Sequence, residues 1–450
     1  MFILAHTTEK ELTPLESNLS NGVDIKYCLS NDFIMQNSTD TETAFEIPEI
    51  EKLYGGSFTN GNSVQLLWKS RELFKAIFDS IAGAERLVCL EFYIFRNDET
   101  GIELAELLKK KAAEGVSVCI IYDHFGSFVT PRRFWAELKH AGIHVRASYP
   151  FKWTAPLHYA RRDHKKLILI DGEKAFTGGL NIANEYRGYY FKKHKAAWRD
   201  TGILLEGPAA GALLSEFEKS WLLWGGKSTI EQQSRRTVEQ QFFHTTDLLH
   251  CCATALKEDS KLLTLNSDGL PVLPIFASSS RGRRKLRKLL YYSINHARKG
   301  ICITTAYFTP SRRMVDTLAA AVKRGAAVRL LLPLKSDVPA ADYAGRASFT
   351  KLLKAGVQIY TYKGRILHAK TAVFDNCWSI IGSANLDFQS LRRNDEGNVG
   401  ILDGNFGQQL TRVFEEDIKN SERIELAQWI KRGLYEKIKE KFFALFRRRL

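Results

Sequence analysis

One octapeptide in this chain occurs twice. His164-Lys165-Lys166-Leu167-Ile168-Leu169-Ile170-Asp171 returns as His368-Ala369-Lys370-Thr371-Ala372-Val373-Phe374-Asp375, and both read H-x-K-x4-D. After six intervening residues each Asp is followed by a small-residue turn ending in Asn: Gly178-Gly179-Leu180-Asn181 in the first copy, Gly382-Ser383-Ala384-Asn385 in the second. A single match of this kind is weak. Two with identical spacing through the Asn imply a chain that builds the same unit twice. The surroundings repeat as well. Helical spacing over 73–81, a strand over 86–95, a helix over 102–114 stopped by Gly115 and a strand over 116–122 are echoed by 289–297, 300–308, 313–324 stopped by Gly325, and 326–333. Later, 134–142 with 143–146 corresponds to 349–356 with 357–360. Alternating strands and helices imply an α/β chain with mixed or parallel sheets covered by helices.

The spacing carries chemistry. On a strand, residues two apart share a face, so His164 projects with Lys166 and His368 with Lys370. The apolar residues that follow suit a buried strand. Two His, two Lys and two Asn (Asn181, Asn385) converging on one point would suit a phosphate group. One His can attack phosphorus and the other can protonate the leaving oxygen, while Lys and Asn stabilise the equatorial oxygens. Two Lys supply the positive charge, so neither a metal nor another cofactor is expected. A lone His on an apolar strand is most often a packed core residue; the paired pattern argues against that reading here. Asp171 and Asp375, counted with the catalytic set, can either touch substrate or cap a turn.

The duplicated H-x-K-x4-D resembles the signature of the phospholipase D superfamily, over most of the chain from about residue 60. Trp198-Arg199-Asp200-Thr201, Thr305-Ala306-Tyr307-Phe308-Thr309-Pro310 and the stretch Ser390 to Asn398 are similar to bacterial cardiolipin synthases. The resemblance implies two phospholipase D-like repeats, each a mixed β-sheet flanked by helices, related by a pseudo-twofold axis with the active site between them. It implies a phosphatidyltransferase that moves a phosphatidyl group from one phosphatidylglycerol to another through a covalent phosphohistidine, releasing glycerol. It also implies His164 as nucleophile, His368 as general acid and then base, and a crossed pair of orienting carboxylates, Glu396 for His164 and Asp200 for His368. A phospholipase D that uses water or another alcohol, a phosphodiesterase acting on nucleic acid, and a non-catalytic membrane scaffold are the rival readings. Nucleic acid is not the expected partner; anionic phospholipid at a membrane surface is. Both motifs lie in one chain, so an oligomer is possible without being required.

The expected boundaries are an N-terminal extension over 1–60, a first repeat over 61–235, a connection over 236–275, a second repeat over 276–424 and a basic amphipathic helix over 425–450. The seven Cys include no Cx2C pair, which fits a reducing compartment better than a zinc site or disulfide framework. No apolar run approaches the ~18 residues needed to span a bilayer, and the start turns polar too soon for a signal peptide. Many cardiolipin synthases begin with two membrane spans, so this chain departs from the resemblance there. The tail offers another route to lipid. Leu426, Ile430, Leu434, Ile438 and Phe442 recur every fourth residue, and residues 431–450 hold eight Lys or Arg against two Glu. That is the pattern of a helix lying in a membrane interface, with Trp429, Lys431, Arg432, Phe442, Phe443, Phe446, Arg447, Arg448 and Arg449 as contacts; packing on the protein's own core is the alternative. The expected location is peripheral, on the cytoplasmic face of the bacterial membrane. The net charge of +15 agrees with anionic lipid or with nucleic acid. A further run, Arg281 to Lys288, can be a solvated helix face or a contact to lipid phosphate, and Phe125 and Phe128 can edge an acyl-chain entrance.

Overall fold

Two copies of one strand sequence make up the sheet. The computed structural model describes residues 44–151, 161–188, 197–226 and 269–447. In the first half the strands are β1 (Thr59–Leu67), β2 (Leu87–Phe92), β3 (Ser117–Asp123), β4 (His144–Ser148), β5 (Lys166–Ile170), β6 (Lys174–Gly178) and β7 (Gly202–Glu206). In the second half they are β8 (Leu270–Phe276), β9 (Gly300–Thr304), β10 (Ala327–Pro333), β11 (Gln358–Tyr362), β12 (Thr371–Phe374), β13 (Trp378–Gly382), β14 (Gly397–Leu402) and β15 (Ser421–Arg423). The halves run β1-β7-β6-β5-β2-β3-β4 and β8-β14-β13-β12-β9-β10-β11-β15, and β1 pairs antiparallel with β8 to join them. Within each half the first crossover strands, β2-β3-β4 and β9-β10-β11, are parallel and the hairpin strands are antiparallel.

Burial explains the strand composition. Every residue of β5 is buried. Ile168 and Ile170 face an outer core with the helices Ser70–Ala82 and Glu99–Ala113. Leu167 and Leu169 face a central core shared with Val373, Leu331 and Ile401 of the second half. A strand apolar on both faces is what a sheet covered on both sides requires. Two long helices, Pro208–Leu223 and Gly404–Lys419, fill the central core with Phe217, Trp221, Phe406, Leu410 and Phe414. The repeats therefore meet over apolar surface and hold one another in place.

Two boundaries differ from the sequence reading. Residues 44–58 are not a separate extension: Phe45, Ile50 and Tyr54 are buried in the core of the second half, where the helix Ile47–Tyr54 lies on Ser280–His296. The opening strand of the second half, β8, starts at Leu270, before residue 276, because it must pair with both β1 and β14. The expected helix over 425–450 is broken. Leu426–Ile430 and Leu434–Leu445 are separate, with Gly433 at the second helix's start.

Asp171 and Asp375 occupy the same position in the two hairpins, each with positive φ (54° and 52°). The Asp171 carboxylate accepts from the backbone N–H groups of Glu85, Arg86 and Leu87 at 3.0, 2.8 and 2.7 Å. Asp375 accepts from Arg298, Lys299 and Gly300 at 2.9, 2.7 and 2.9 Å. Each carboxylate ties a motif hairpin to the start of the neighbouring parallel strand. This corrects their inclusion among the catalytic residues: their acceptor capacity is spent on backbone at the end of the hairpin remote from the His. Replacing either Asp by Ala leaves up to three strand-end N–H groups without their carboxylate, at about 1–3 kcal/mol. The denaturant midpoint should fall accordingly, with turnover of the folded fraction within about threefold of the parent. A hundredfold loss of turnover at unchanged stability would return them to the chemistry.

Candidate active site

The two motif His stand where the halves cross. The segment before β5 forms a parallel bridge to the segment before β14, Asp163 to Asp395, with His164 N–H donating to Asp395 O and Asp395 N–H to Arg162 O, both at 2.8 Å. The mirror-image contact joins Arg199 to Leu367, with His368 N–H donating to Arg199 O at 2.8 Å. Each His is thus laced by backbone to the residue just before an acid of the other half. His164 Nδ1 lies 3.0 Å from Glu396 Oε2, and His368 Nδ1 lies 2.8 Å from Asp200 Oδ2. All four groups are buried. Such contacts fix each ring's orientation and direct its Nε2 away from the acid.

The small-residue turns differ for a physical reason. Ser383 Oγ donates to Glu396 Oε2. At the matching position a Cβ on Gly179 would lie 2.2 Å from Asp200 Oδ1, so only glycine leaves room for that carboxylate.

Lys166 opens β5 and Lys370 immediately precedes β12. The Lys166 amine donates to its own motif's His164 carbonyl at 2.5 Å, and the Lys370 amine donates to the His368 carbonyl and lies 2.7 and 3.0 Å from the two ring nitrogens of His368. Burial pushes the Lys166 ammonium down to about 7, Lys370 adding to the effect and Glu396 opposing it. Burial likewise brings Lys370 down to about 8 although Asp200 pulls it up. Burial lowers His164 against the pull of Glu396. Burial and the adjoining Lys370 lower His368 to about 4. Both amines therefore hold their protons weakly near neutrality, and both imidazoles hold theirs less tightly than a free histidine does.

Asn181 and Asn385 brace the site. Asn181 Oδ1 accepts from Ile94 N–H at 3.1 Å and its Nδ2 donates to Tyr186 OH at 2.8 Å. Asn385 Oδ1 accepts from Tyr307 N–H at 3.3 Å and Thr305 Oγ1 at 3.2 Å. Their carbonyl ends hold the chain leaving the first parallel strand in both halves.

Several residues in the site carry no signature in the motif. Tyr93 packs edge-on to His164 at 5.0 Å, and Tyr186, Trp198 and Tyr307 surround His368 at 5.2, 5.5 and 6.3 Å. Lys165, between the motif His and Lys, turns to the opposite face, where its buried amine meets Glu91 at 2.6 Å, Ser220 Oγ at 2.8 Å and Asp163 at 3.2 Å. Asp395 receives Arg283 at 2.9 Å and Tyr149 OH at 2.8 Å, while Arg199 clamps Asp417 at 2.8 and 2.7 Å. These ion pairs lie behind the two crossing segments.

The expected membrane contacts divide. Trp429 is buried (7% exposed) against Phe349, its indole N–H donating to Thr350 Oγ1 at 3.1 Å. Arg432 stacks over Trp429 and pairs with the buried Glu440 at 2.6 Å, and Phe443 stacks on Tyr343 at 5.6 Å. Trp429, Arg432 and Phe443 are thus bound to the protein's own surface, and their assignment to membrane contact is corrected. The helix Leu434–Leu445 docks on Pro339–Arg346 by its acidic side, Glu436 and Glu440 facing Arg346. Four of its apolar residues point outward: Leu434 (73% exposed), Ile438 (55%), Phe442 (54%) and Leu445 (77%). Lys431 and Phe446 are exposed as well and Arg447 is half-buried; Arg448 and Arg449 lie outside the described residues. No helix among the described residues is long and apolar enough to cross a membrane.

A family model described as "Cardiolipin synthase, PLD-like domain" matches residues 77–221 and 290–418. "Cardiolipin synthase 2" of Bacillus anthracis is 31% identical over 92% of this chain and 75% of its own length. The "Major cardiolipin synthase" of Bacillus subtilis is 32% identical over 85% of this chain and 74% of its own length. "Cardiolipin synthase" of Clostridium perfringens is 28% identical over 98% and 84%. Among solved structures, the phosphatidylserine synthase of Haemophilus influenzae superposes with a TM-score of 0.66 over 90% of this chain and all of that one, at 14% identity, which shows a shared fold.

The titration of the site gives a test. If the two amines offset phosphate charge, as their place beside the His suggests for a phosphodiester substrate, they must be cations, and both sit near neutrality in the free protein. Phosphodiester kcat/KM should therefore fall as pH rises through about 7 to 8; an alkaline limb that begins only above pH 9 would contradict the assignment. His368 binds its proton more weakly folded (about 4) than unfolded (about 6.5), so the unfolded state holds more protons between these values. Its contribution to stability is present above about 6.5 and is lost as pH falls toward 4, which a denaturant-midpoint series should record.

Proposed function

This chain belongs to the phospholipase D-like cardiolipin synthase family, and on that footing we propose that it is a phosphatidyltransferase that joins two phosphatidylglycerols into cardiolipin and releases glycerol. The observation that carries the reading is the pair of buried His–acid contacts, His164–Glu396 and His368–Asp200, with both motif Lys beside them. In the first step His164 Nε2 attacks the phosphorus of one phosphatidylglycerol. The P–O bond to the head glycerol breaks, and His368, brought to its imidazolium form by the bound phosphodiester anion, gives its Nε2 proton to the departing oxygen. In the second step His368 takes the proton from a hydroxyl of a second phosphatidylglycerol. That oxygen attacks phosphorus, the P–N bond breaks, and His164 is regenerated. Lys166 and Lys370 offset charge on the non-bridging oxygens, where a fixed donor in a dry site is most effective.

The division of labour rests on the neighbours of the two rings. Glu396 holds His164 Nδ1, leaving Nε2 to attack. His368 Nδ1 is met both by Asp200 at 2.8 Å and by the Lys370 amine at 2.7 Å, surroundings that His164 does not share. Asn181 and Asn385 act as positioning residues here, and Asp171 and Asp375 as structural ones.

Access to lipid comes from the outward apolar face of Leu434–Leu445, and from Phe125 and Phe128 (47% and 72% exposed). Phe125 and Phe128 belong to the loop whose Gly126 packs on Tyr93, the residue against His164. Peripheral attachment at the cytoplasmic face of a bacterial membrane follows from this reading, with basic residues adding about 1 kcal/mol each near anionic lipid.

Incubating the protein with labelled phosphatidylglycerol vesicles should give cardiolipin and glycerol by mass analysis. Phosphatidic acid alone would move the reading to a hydrolase; DNA cleavage without lipid turnover would reject it. The Leu434→Ser/Ile438→Ser/Phe442→Ser variant, which touches only exposed positions, should sediment with anionic vesicles at least about fivefold less while its denaturant midpoint holds. Unchanged sedimentation would remove the helix from membrane binding.

A further inference from the structure

The basic run Arg281 to Lys288 separates into two sets in the structure. Arg283 turns inward to Asp395, and the Lys285 amine reaches the Gly55 carbonyl at 3.1 Å. Arg284, Arg287 and Lys288 share one stripe of the helix Ser280–His296 and face an open groove of about 1170 Å³. Across it stand Arg312 and Arg313, at the start of the helix Arg312–Lys323, and Arg392, at the end of Phe388–Arg392. Arg447, at the tail of the outward-facing C-terminal helix, closes one side. The floor is apolar, with Leu53, Pro310, Phe388 and Leu391.

Seven cationic side chains line this groove with a single carboxylate, Asp387, which is buried and caps its own helix through Ser390 N–H at 2.6 Å. Among the described residues none of the seven forms an ion pair with an acid. Arg287 gives one N–H to Leu391 O at 2.5 Å, and Arg313 and Arg392 lie over Tyr291 and Phe388. Burial, and then the neighbouring Arg392, hold the Arg287 guanidinium below the ordinary arginine range. Cations kept together over an apolar floor are stabilised by an anion that is itself amphiphilic.

From this we infer that the groove is a second anionic-lipid site, outside the His–Lys centre, which takes the phosphodiester of a phospholipid headgroup on its arginines and the glycerol and upper acyl carbons on its floor. It rests on the lipid reading given above. A free phosphate would leave most of the volume and the whole apolar floor unused. The walls are continuous with both the reaction centre and the membrane-facing helix. Thr309 and Pro310 follow Tyr307, Asp387 follows Asn385, and Arg447 follows Leu445. A lipid held here would keep the protein seated with the centre against the bilayer.

The test uses the full-length His164→Ala/His368→Ala protein, which cannot turn lipid over, and the same protein carrying Arg284→Gln, Lys288→Gln and Arg392→Gln, all exposed positions. Each is titrated calorimetrically with dihexanoyl-phosphatidylglycerol below its micelle concentration. The first should bind two equivalents and the second one. An unchanged count and affinity overturn the inference. So does displacement of the second lipid by equimolar inorganic phosphate, which makes the groove a small-anion site, or by single-stranded DNA, which makes it a nucleic-acid surface. With both His intact, the three groove substitutions should leave the rate on monomeric lipid within about twofold and raise the phosphatidylglycerol fraction needed in vesicles about tenfold; an unchanged vesicle requirement also counts against the site. A single Arg312→Gln variant should move the same way if the triple variant is unstable. Failure of the parent to make cardiolipin would reject the proposed reaction alone, since the binding count does not depend on turnover.

Discussion

The whole site depends on one exchange between the halves: each His takes its orienting acid from the other repeat. His164 leans on Glu396 and His368 on Asp200, and the backbone enforces both contacts through the bridges Asp163–Asp395 and Arg199–Leu367. Neither repeat alone holds a complete His–acid pair. The apolar contact between Pro208–Leu223, Gly404–Lys419 and the strands in front of them is therefore a condition for the site as well as for stability. Buried pairs of this kind contribute little net stability when complete, and removing one partner costs about 3–5 kcal/mol. The ion pairs behind the crossings, Arg283–Asp395 and Arg199–Asp417, fix the segments that carry the acids.

Duplication gives the site its parts, and small departures from symmetry give those parts different work. Glu396 is one methylene longer than Asp200 and is met by Ser383, where Gly179 makes room for the shorter acid. The Lys370 amine lies against the ring of His368, whereas the Lys166 amine lies 5.3 Å from the centre of the Tyr93 ring. His368 is walled by Tyr186 and Trp198, and His164 by Tyr93. On the proposed mechanism, these unequal surroundings decide which imidazole attacks and which protonates.

Much of this was legible in the sequence because repetition and strand periodicity survive without tertiary information. The motif pair and the β2-β3 and β9-β10 crossovers could be read from spacing, whereas Asp200 and Glu396 were implied only by the resemblance to the family. Asp171 and Asp375 show the limit: a turn-capping acid and a catalytic acid look alike until the backbone of residues 85–87 and 298–300 is in place around them. Trp429, Phe442 and Phe443 belong to one amphipathic tail, and only the docking of Trp429 on Phe349 and of Phe443 on Tyr343 decides which face is wet. Nothing in the sequence marks Lys165 for burial, yet the sheet buries it opposite Glu91. The helix Ile47–Tyr54 had no pattern strong enough to announce that its partner lay in the second half.

The most direct test of the crossed, unequal pair is to trap the covalent intermediate. The parent protein, His164→Ala and His368→Ala are each mixed with acyl-labelled phosphatidylglycerol and quenched in denaturant, and the labelled peptide is located by mass. The geometry predicts a phosphatidyl adduct on His164 that accumulates in the His368→Ala protein, where release lacks its base, and is absent from His164→Ala. An adduct on His368 that persists in His164→Ala would contradict it.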